Sequence, residues 1–226
     1  MLDLELHSHT RYSPDSLTKL HHLIDHCREV GIGKIAITDH YEIEGALEAH
    51  RRAPDLVIVG EEALCPEGEL LCYFIHTLIP RGIPLSEAIE RVHDQGGICG
   101  PSHPFDPRRH GIGRANIEQY AHKLDFIEVF NARTRDRKRN DEACAIAEEF
   151  DLPKICASDA HTIPELGITR VRLPREFDGP QDFLAALREP STELLTHYSS
   201  YLAKVGSRVA AIAHSLGFDR PNLRAT

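Results

Sequence analysis

Leu4-Glu5-Leu6-His7-Ser8-His9-Thr10, near the start of a 226-residue chain, reads as a short strand ending in a His-x-His pair. Residues i and i+2 of a strand point to the same side. His7 and His9 therefore aim two imidazoles at one point, the simplest beginning of a metal site. Alone, the pair reads more readily as two partly exposed histidines near a terminus. The recurrence of the same construction downstream decides between the readings. Lys34-Ile35-Ala36-Ile37-Thr38 is a second strand running into Asp39-His40, and Leu56-Val57-Ile58-Val59 is a third, ending in Gly60-Glu61-Glu62. After the turn Pro66-Glu67-Gly68, residues 69–75 form a fourth. Ile98-Cys99-Gly100 delivers His103, Phe126 to Phe130 carries Glu128, and Lys154-Ile155-Cys156-Ala157 ends in Ser158-Asp159-Ala160-His161.

Stretches with helical spacing separate these runs, the clearest being Leu17 to Val30 with Leu20, Leu23, Ile24, Cys27 and Val30 on one face. Alternating strands and helices imply a mostly parallel sheet with crossover helices. About seven such units predict an α/β fold closed into a distorted, TIM-barrel-like (β/α)7 barrel; periodicity alone also allows an open sheet. Val171-Arg172-Leu173 reads as one more short strand. From Pro180 the chain reads as helices, the last from about Glu193 to Leu216, with an apolar stripe (Leu194, Leu195, Tyr198, Leu202, Val205, Val209, Ile212) expected to pack on the barrel. The expected organisation is one domain over 1–226, with a motif-bearing barrel over about 1–175 and a C-terminal helical segment over about 180–220.

A net charge of −9 argues against a broad nucleic-acid-binding surface or an anionic membrane as partner. Fifteen histidines are many for this length, and His is the commonest metal ligand. The six cysteines form no Cys-x-x-Cys pair; Cys27, Cys72, Cys99, Cys144 and Cys156 read as reduced core residues. No signal-peptide pattern and no apolar run of the ~18 residues a membrane span needs is visible, so a cytoplasmic location is expected.

In β/α barrels the active site lies where the carboxyl ends of the strands meet their loops. Six strands here bring His or carboxylate groups to that rim: His7 and His9, Asp39 and His40, Glu61 and Glu62, His103, Glu128, Asp159 and His161. Imidazoles mixed with carboxylates suit Zn, Mn or Fe, whereas an all-oxygen magnesium cage would not need five histidines. The donors are too many for one ion, so two or three are expected, with a carboxylate bridging a pair ~3.5–4 Å apart.

These pieces resemble the PHP (polymerase and histidinol phosphatase) domain. The matching motifs are His7-Ser8-His9-Thr10, Thr38-Asp39-His40, Gly60-Glu61-Glu62, Gly96-Gly97 ahead of His103-Pro104-Phe105, Ile127-Glu128-Val129-Phe130-Asn131 and Ser158-Asp159-Ala160-His161, which cover roughly residues 1–170. The resemblance implies a trinuclear metal centre and a metal-dependent phosphoesterase. It implies that His7, His9, Glu62 and Asp159 hold a first metal, and that Glu62 bridges to a second completed by His103 and Glu69. His76 competes with Glu69 for that place. Asp15, His40 and His161 would hold a third, although Ser13-Pro14-Asp15-Ser16 departs from the family's Ser-Asp-Gly.

Asp39 either orients His40 or caps the following helix. Glu128, in an apolar strand, needs a partner, either a ligand histidine or a nearby arginine. The one basic cluster, residues 131–139, reads as a solvated loop or, through Arg133, Arg135 and Arg137, as a phosphate-binding segment. Arg108 and Arg109 are weaker candidates, and the ten other histidines, His214 among them, read as surface or helix-face residues. The expected reaction is hydrolysis of a small phosphomonoester, nucleotide or short oligonucleotide by a metal-activated hydroxide, with His161 or His40 returning a proton to the leaving group. The alternatives are a metal-dependent amidohydrolase and a non-catalytic, metal-stabilised binding module.

Overall fold

Amphipathic spacing becomes packing in the first unit. β1 (Leu2–Ser8) leads to α1 (Leu20–Glu29), which buries Leu20, Leu23, Ile24 and Cys27. The computed structural model describes residues 1–216, apart from the side chains of residues 201–204; residues 217–226, part of the expected C-terminal segment, and the Leu202 side chain lie outside that description. The chain continues through β2 (Lys34–Ile37), α2 (Glu44–Arg52), β3 (Val57–Cys65), β4 (Gly68–Tyr73), α3 (Leu85–Asp94) and β5 (Ile98–Pro101). It goes on through α4 (Gly113–Tyr120), β6 (Ile127–Asn131), α5 (Arg137–Glu149), β7 (Lys154–Ala157), β8 (Arg170–Leu173), α6 (Gly179–Leu187), β9 (Glu193–Leu195) and α7 (Tyr201–Ser215).

The strands β1 to β7 close the expected distorted (β/α)7 barrel. One hydrogen-bonded sheet runs β5-β4-β3-β2-β1-β8-β9, and β6 and β7 pair separately. Two short seams complete the ring. At one, Asp125 N–H donates to the Cys99 carbonyl (2.9 Å), and a Cβ on Gly100 would come within 2.3 Å of the Phe126 carbonyl oxygen, so the close approach of β6 requires glycine there. At the other, a bridge between Ser8 and Ala160 ties β1 to the end of β7, with His9 N–H on the Ala160 carbonyl at 2.8 Å. Inside the ring Leu4, Leu6, Leu71, Tyr73, Phe126 and Ile155 form a buried core. The Tyr73 ring stacks on Phe126, and its hydroxyl donates to the Leu6 carbonyl at 2.6 Å. A larger apolar layer lies between the strands and the surrounding helices.

Three expectations are corrected. The mostly parallel ring is interrupted at one place, where β3 runs on to Cys65 and folds back as a hairpin into β4, which is antiparallel to both β3 and β5. Glu62 is therefore inside a nine-residue strand and not at its end. Residues 193–195 form strand β9, paired antiparallel to β8, rather than the start of the last helix. Finally, α7 does not lay its apolar stripe on the barrel: Val205, Val209 and Ile212 are exposed. The opposite face, with Ser207 and His214, covers a polar cleft, which the exposed Arg208 reaches from the flank of the helix. Cys144 is half-buried, and the other five cysteines are buried; all six are free thiols.

Candidate active site

Simple alternation along β1 would put the histidines on the wrong side. Leu4 and Leu6 belong to the barrel core, so His7 should face out. The register against β2 slips, however, with Glu5 opposite Ile35 but Ser8 opposite Ile37, leaving one extra residue on β1. Such a bulge re-aims the side chains beyond it. His7 and His9 accordingly turn into the mouth of the barrel, where both are fully buried. His103 and Asp159 reach the same place from backbone in the left-handed region, with φ of 29° and 52°, a conformation that non-glycine residues seldom adopt and that concentrates at functional sites.

Glu62 lies at the centre. Its Oε2 is 3.2 Å from His7 Nε2, 3.5 Å from His9 Nε2 and 3.1 Å from His40 Nδ1, and its Oε1 is 3.1 Å from His103 Nε2. Asp159 Oδ1 stands 3.3 Å from His9 Nε2 and 3.7 Å from His7 Nε2. Asp15 Oδ2 is 3.0 Å from His161 Nε2 and 3.8 Å from His40 Nε2. Glu69 sits 3.6 Å from His103 Nε2 and 3.8 Å from His40 Nδ1. Strand direction explains why Glu69, and not His76, arrives here. Because β4 runs antiparallel, its first residues are at the mouth, and its far end carries His76 into an exposed turn where the His76 N–H meets Gln95.

The groups behind these donors fix which ring nitrogens face the centre. Glu128 accepts from His7 Nδ1 (3.1 Å), the His103 backbone N–H (2.6 Å) and Asn131 Nδ2 (3.1 Å), so the partner its buried carboxylate required includes a histidine of the site. With Nδ1 hydrogen-bonded to Glu128, Nε2 is the atom His7 turns to the centre, and a cation binding there would take the place of its proton. Asp39 takes neither expected role. It accepts from Thr10 N and Oγ1 (2.6 Å each) and from Ser13 Oγ (2.9 Å), while the N–H groups opening α2 are taken by the Glu42 carboxylate (2.9 Å to Ile43 N and 3.1 Å to Glu44 N). Ser13 Oγ spends its only proton on Asp39 and receives the His40 N–H at 3.0 Å. The remaining 3.0 Å contact, to His9 Nδ1, is then a bond donated by His9, and Nε2 is again left bare.

Those bare atoms test whether metal ions fit. His7 Nε2, His9 Nε2, His40 Nδ1, Glu62 Oε1 and Asp15 Oδ1 are all buried without a hydrogen-bond partner, a costly condition for polar atoms unless another group satisfies them. Burial, followed by the nearby His161 and His40, drives the His9 pKa down to about 3, which leaves a neutral imidazole ready to donate its lone pair. Burial, followed by crowding from Glu62 and Asp159, pushes Glu69 up to about 9. Burial opposes ionisation of Glu62 as well, yet His7 and His40 hold it well below the usual carboxylate range. The donors fall into overlapping groups within 4.8 Å: His7, His9 and Asp159; His40, Glu62 and Glu69; His9, Asp15, His40 and His161. Imidazoles alternating with carboxylates and lacking other partners are a donor set for borderline divalent cations.

The PHP domain model matches residues 5–69, and the model of the PHP-associated region matches residues 137–192. An uncharacterized protein of Methanocaldococcus jannaschii is 30% identical over 211 residues, spanning 89% of this chain and 85% of its own length. The chain belongs to the PHP domain family. Among solved structures, a two-domain protein of Bacteroides vulgatus containing a predicted PHP-like metal-dependent phosphoesterase superposes with a TM-score of 0.71 at 18% identity over 87% of this chain. This chain spans 65% of the length of that protein. The lesion-specific endonuclease Q of Pyrococcus furiosus superposes with a TM-score of 0.62 at 15% identity, covering 98% of this chain and 67% of its own. Membership of the PHP family implies divalent metal cofactors and a hydrolase of the metal-dependent phosphoesterase class.

Above the metal-ligand candidates this PHP domain has a cleft of about 570 Å³ lined by Asp15, His40, Glu62, Glu69, His103, Asp159 and His161 and walled by arginines. Arg109, weakly marked in the sequence, reaches deepest. It contacts Asp159 directly and donates to Asn131 Oδ1 (2.9 Å) and Thr134 Oγ1 (3.1 Å). Arg133 contacts His161 and donates to Ser207 Oγ at 2.5 Å. Arg135 lines the cleft, but Arg137 turns away and stacks over the Tyr198 ring at 4.7 Å. Arg208 and His214, which no motif marks, line the cleft from α7, and His214 is buried rather than on the surface. No helix among the described residues is long and apolar enough to cross a membrane.

Proposed function

We propose that this PHP domain hydrolyses phosphate esters of small molecules, nucleotides or short oligonucleotides at a centre of two or three divalent ions. The observation that carries the reading is the set of buried, unpartnered imidazole nitrogens and carboxylate oxygens facing an arginine-walled cleft. His7, His9, Glu62 and Asp159 would hold one ion, Glu62, Glu69 and His103 a second, and Asp15, His40 and His161 a third. Bound there, divalent ions supply Lewis-acid activation of water and neutralise phosphoryl oxygens. The chain's own groups do the rest. Arg109 and Arg133 bring guanidinium forks, matched to phosphate oxygens, to the edge of the ligand groups. Glu128, Asp39 and Ser13 hold the imidazole tautomers. His40, whose side chain is 16% exposed against 4% for His161, is the more open of the two histidines that can return a proton to a leaving oxygen. The cleft's volume suits a nucleotide-sized ligand.

Hydrolysis of a chromogenic phosphomonoester and a phosphodiester by the Mn²⁺-loaded protein, compared with Asp159→Ala, tests the proposal. Turnover by the wild type that disappears in the variant is expected, and the monoester-to-diester ratio then separates phosphatase from nuclease chemistry. A strand containing a lesion belongs in the panel because endonuclease Q shares the fold. Metal bound by elemental analysis without turnover of either ester sinks the phosphoesterase reading and turns attention to amides.

A further inference from the structure

Beside the metal cleft lies a second cavity of about 460 Å³, walled by Arg108, Arg109, Arg133, Arg135, Arg139 and Arg208, with only Asp106 and Asp136 to oppose them. All of these arginines except Arg139 also line the first cleft, so the two spaces are continuous. They come from three separate parts of the chain: the loop after β5, the segment leading into α5 together with its first turn, and α7.

The counter-charges are unevenly spent. Asp106 takes Arg109 Nε at 3.3 Å, Asp136 lies 3.6 Å from Arg139 Nε, Glu142 holds Arg139 Nη1 at 3.1 Å, and Glu165 is 3.7 Å from Arg133 Nε. Among the described residues no carboxylate pairs with Arg108, Arg135 or Arg208, all three exposed, so their guanidinium groups are open to a ligand from solvent. This chain has 35 acidic residues and only 26 basic ones, so carboxylates are plentiful. Gathering like charges in one hollow focuses a positive potential that attracts an anion.

We propose that this cavity is an anion subsite for a second phosphate group of the substrate, the first lying in the metal cleft. The inference rests on the phosphoesterase reading above. It narrows the substrate class to esters carrying two phosphates about one sugar apart, either a bisphosphorylated small molecule or the neighbouring phosphate of a short oligonucleotide. A phosphate dianion matches several unpaired guanidinium forks better than a single carboxylate does. Arg109 and Arg133 stand at the join, each touching a metal-ligand candidate on one side and lining the second cavity on the other.

The test is a ratio of kcat/KM values measured with the Mn²⁺-loaded protein: hexose bisphosphate over hexose monophosphate, and 5′-phosphorylated dinucleotide over mononucleotide. Whichever ratio is high identifies the source of the second phosphate. In R135Q/R208Q that ratio should fall about a hundredfold, about tenfold per guanidinium removed. Calorimetry of pyrophosphate binding to the metal-free protein gives a second readout, and R135Q/R208Q should weaken that binding by a similar factor. Wild-type ratios near one, or a ratio and a pyrophosphate affinity both unchanged in R135Q/R208Q, overturn the subsite. Failure to hydrolyse any ester overturns the phosphoesterase reading instead, and calorimetry still reports on the cavity.

Discussion

On the floor of the cleft the polar groups are enclosed and matched. His7 and His9 have no exposed surface, and Glu62 and Asp159 are 1% and 2% exposed. Each of these histidines is also backed by a residue that fixes its tautomer. Along the wall the arginines are more open, with side-chain exposures of 11% for Arg133, 26% for Arg109 and 38% for Arg139. The floor is carried by strands or by the residues just beyond them, and rigid elements hold a constellation more tightly than loops do. The wall is assembled from loops and a helix far away in sequence. This difference suggests a division of labour, in which the floor sets the chemistry and the wall selects the substrate.

The strongest way to break that division is Asp159→Asn. The substitution keeps the shape but removes the charge that faces His7, His9, His161 and Arg109. Turnover should fall by more than about a thousandfold, with a matching loss of bound metal by elemental analysis. Retained metal and a modest kinetic loss would mean that Asp159 is not part of the floor.

Next comes Arg109, which joins floor and wall. Arg109→Ala should reduce kcat/KM about a hundredfold, and Arg109→Lys should recover little, because an ammonium cannot reproduce a fork shared among Asp159, Asn131 and Thr134. Full rescue by lysine would reduce Arg109 to a simple point charge.

The same contrast explains what was readable beforehand. Floor residues announced themselves because a strand signal and a histidine or carboxylate occurred together, repeatedly and in a fixed order. Glu69 and His76 could not be separated by pattern, since the direction of β4 decides between them and direction leaves no trace in periodicity. The bulge in β1 was equally invisible, although the pairing of His7 with His9 was not. For α7 the spacing showed an apolar stripe but not which face would meet the barrel. The cleft beneath is polar, so Val209 and Ile212 face solvent while Ser207 and His214 are buried against it. Arg137 belonged to a basic run of which Arg133 and Arg135 reach the cleft, while Arg137 packs on Tyr198.

A smaller effect should come from behind the floor. Ser13→Ala removes the hydroxyl that receives the His9 Nδ1 proton and passes its own to Asp39. Metal affinity, measured by competition with a chelator, should weaken about ten- to a hundredfold, with Ser13→Thr restoring most of it. An unchanged affinity would show that packing alone orients His9.

The least effect on turnover, and the sharpest control, is Glu61→Gln. Glu61 and Glu62 are neighbours on β3, yet they point to opposite faces. Glu61 is fully buried among apolar groups, accepts only the Ile79 N–H at 2.8 Å through Oε2, and has no partner for Oε1. Burial therefore pushes its pKa up to about 8, whereas Glu62 is held low by His7 and His40. Between the ordinary carboxyl value of 4.5 and about 8, the folded protein keeps a proton at Glu61 that the unfolded chain releases. The folded state binds more protons, so stability falls as pH rises across that window and levels off above it. The slope is at most about 1.4 kcal/mol per pH unit. Glutamine is neutral at every pH and still accepts from Ile79, so Glu61→Gln should flatten this part of the profile. Urea unfolding of the metal-free protein at pH 5, 6, 7 and 8 reads the difference, which should grow toward pH 8 while hydrolysis by the loaded enzyme stays near wild type. Parallel profiles for the two proteins would mean that water reaches Glu61 and that this face of β3 is not the dry counterpart of the floor.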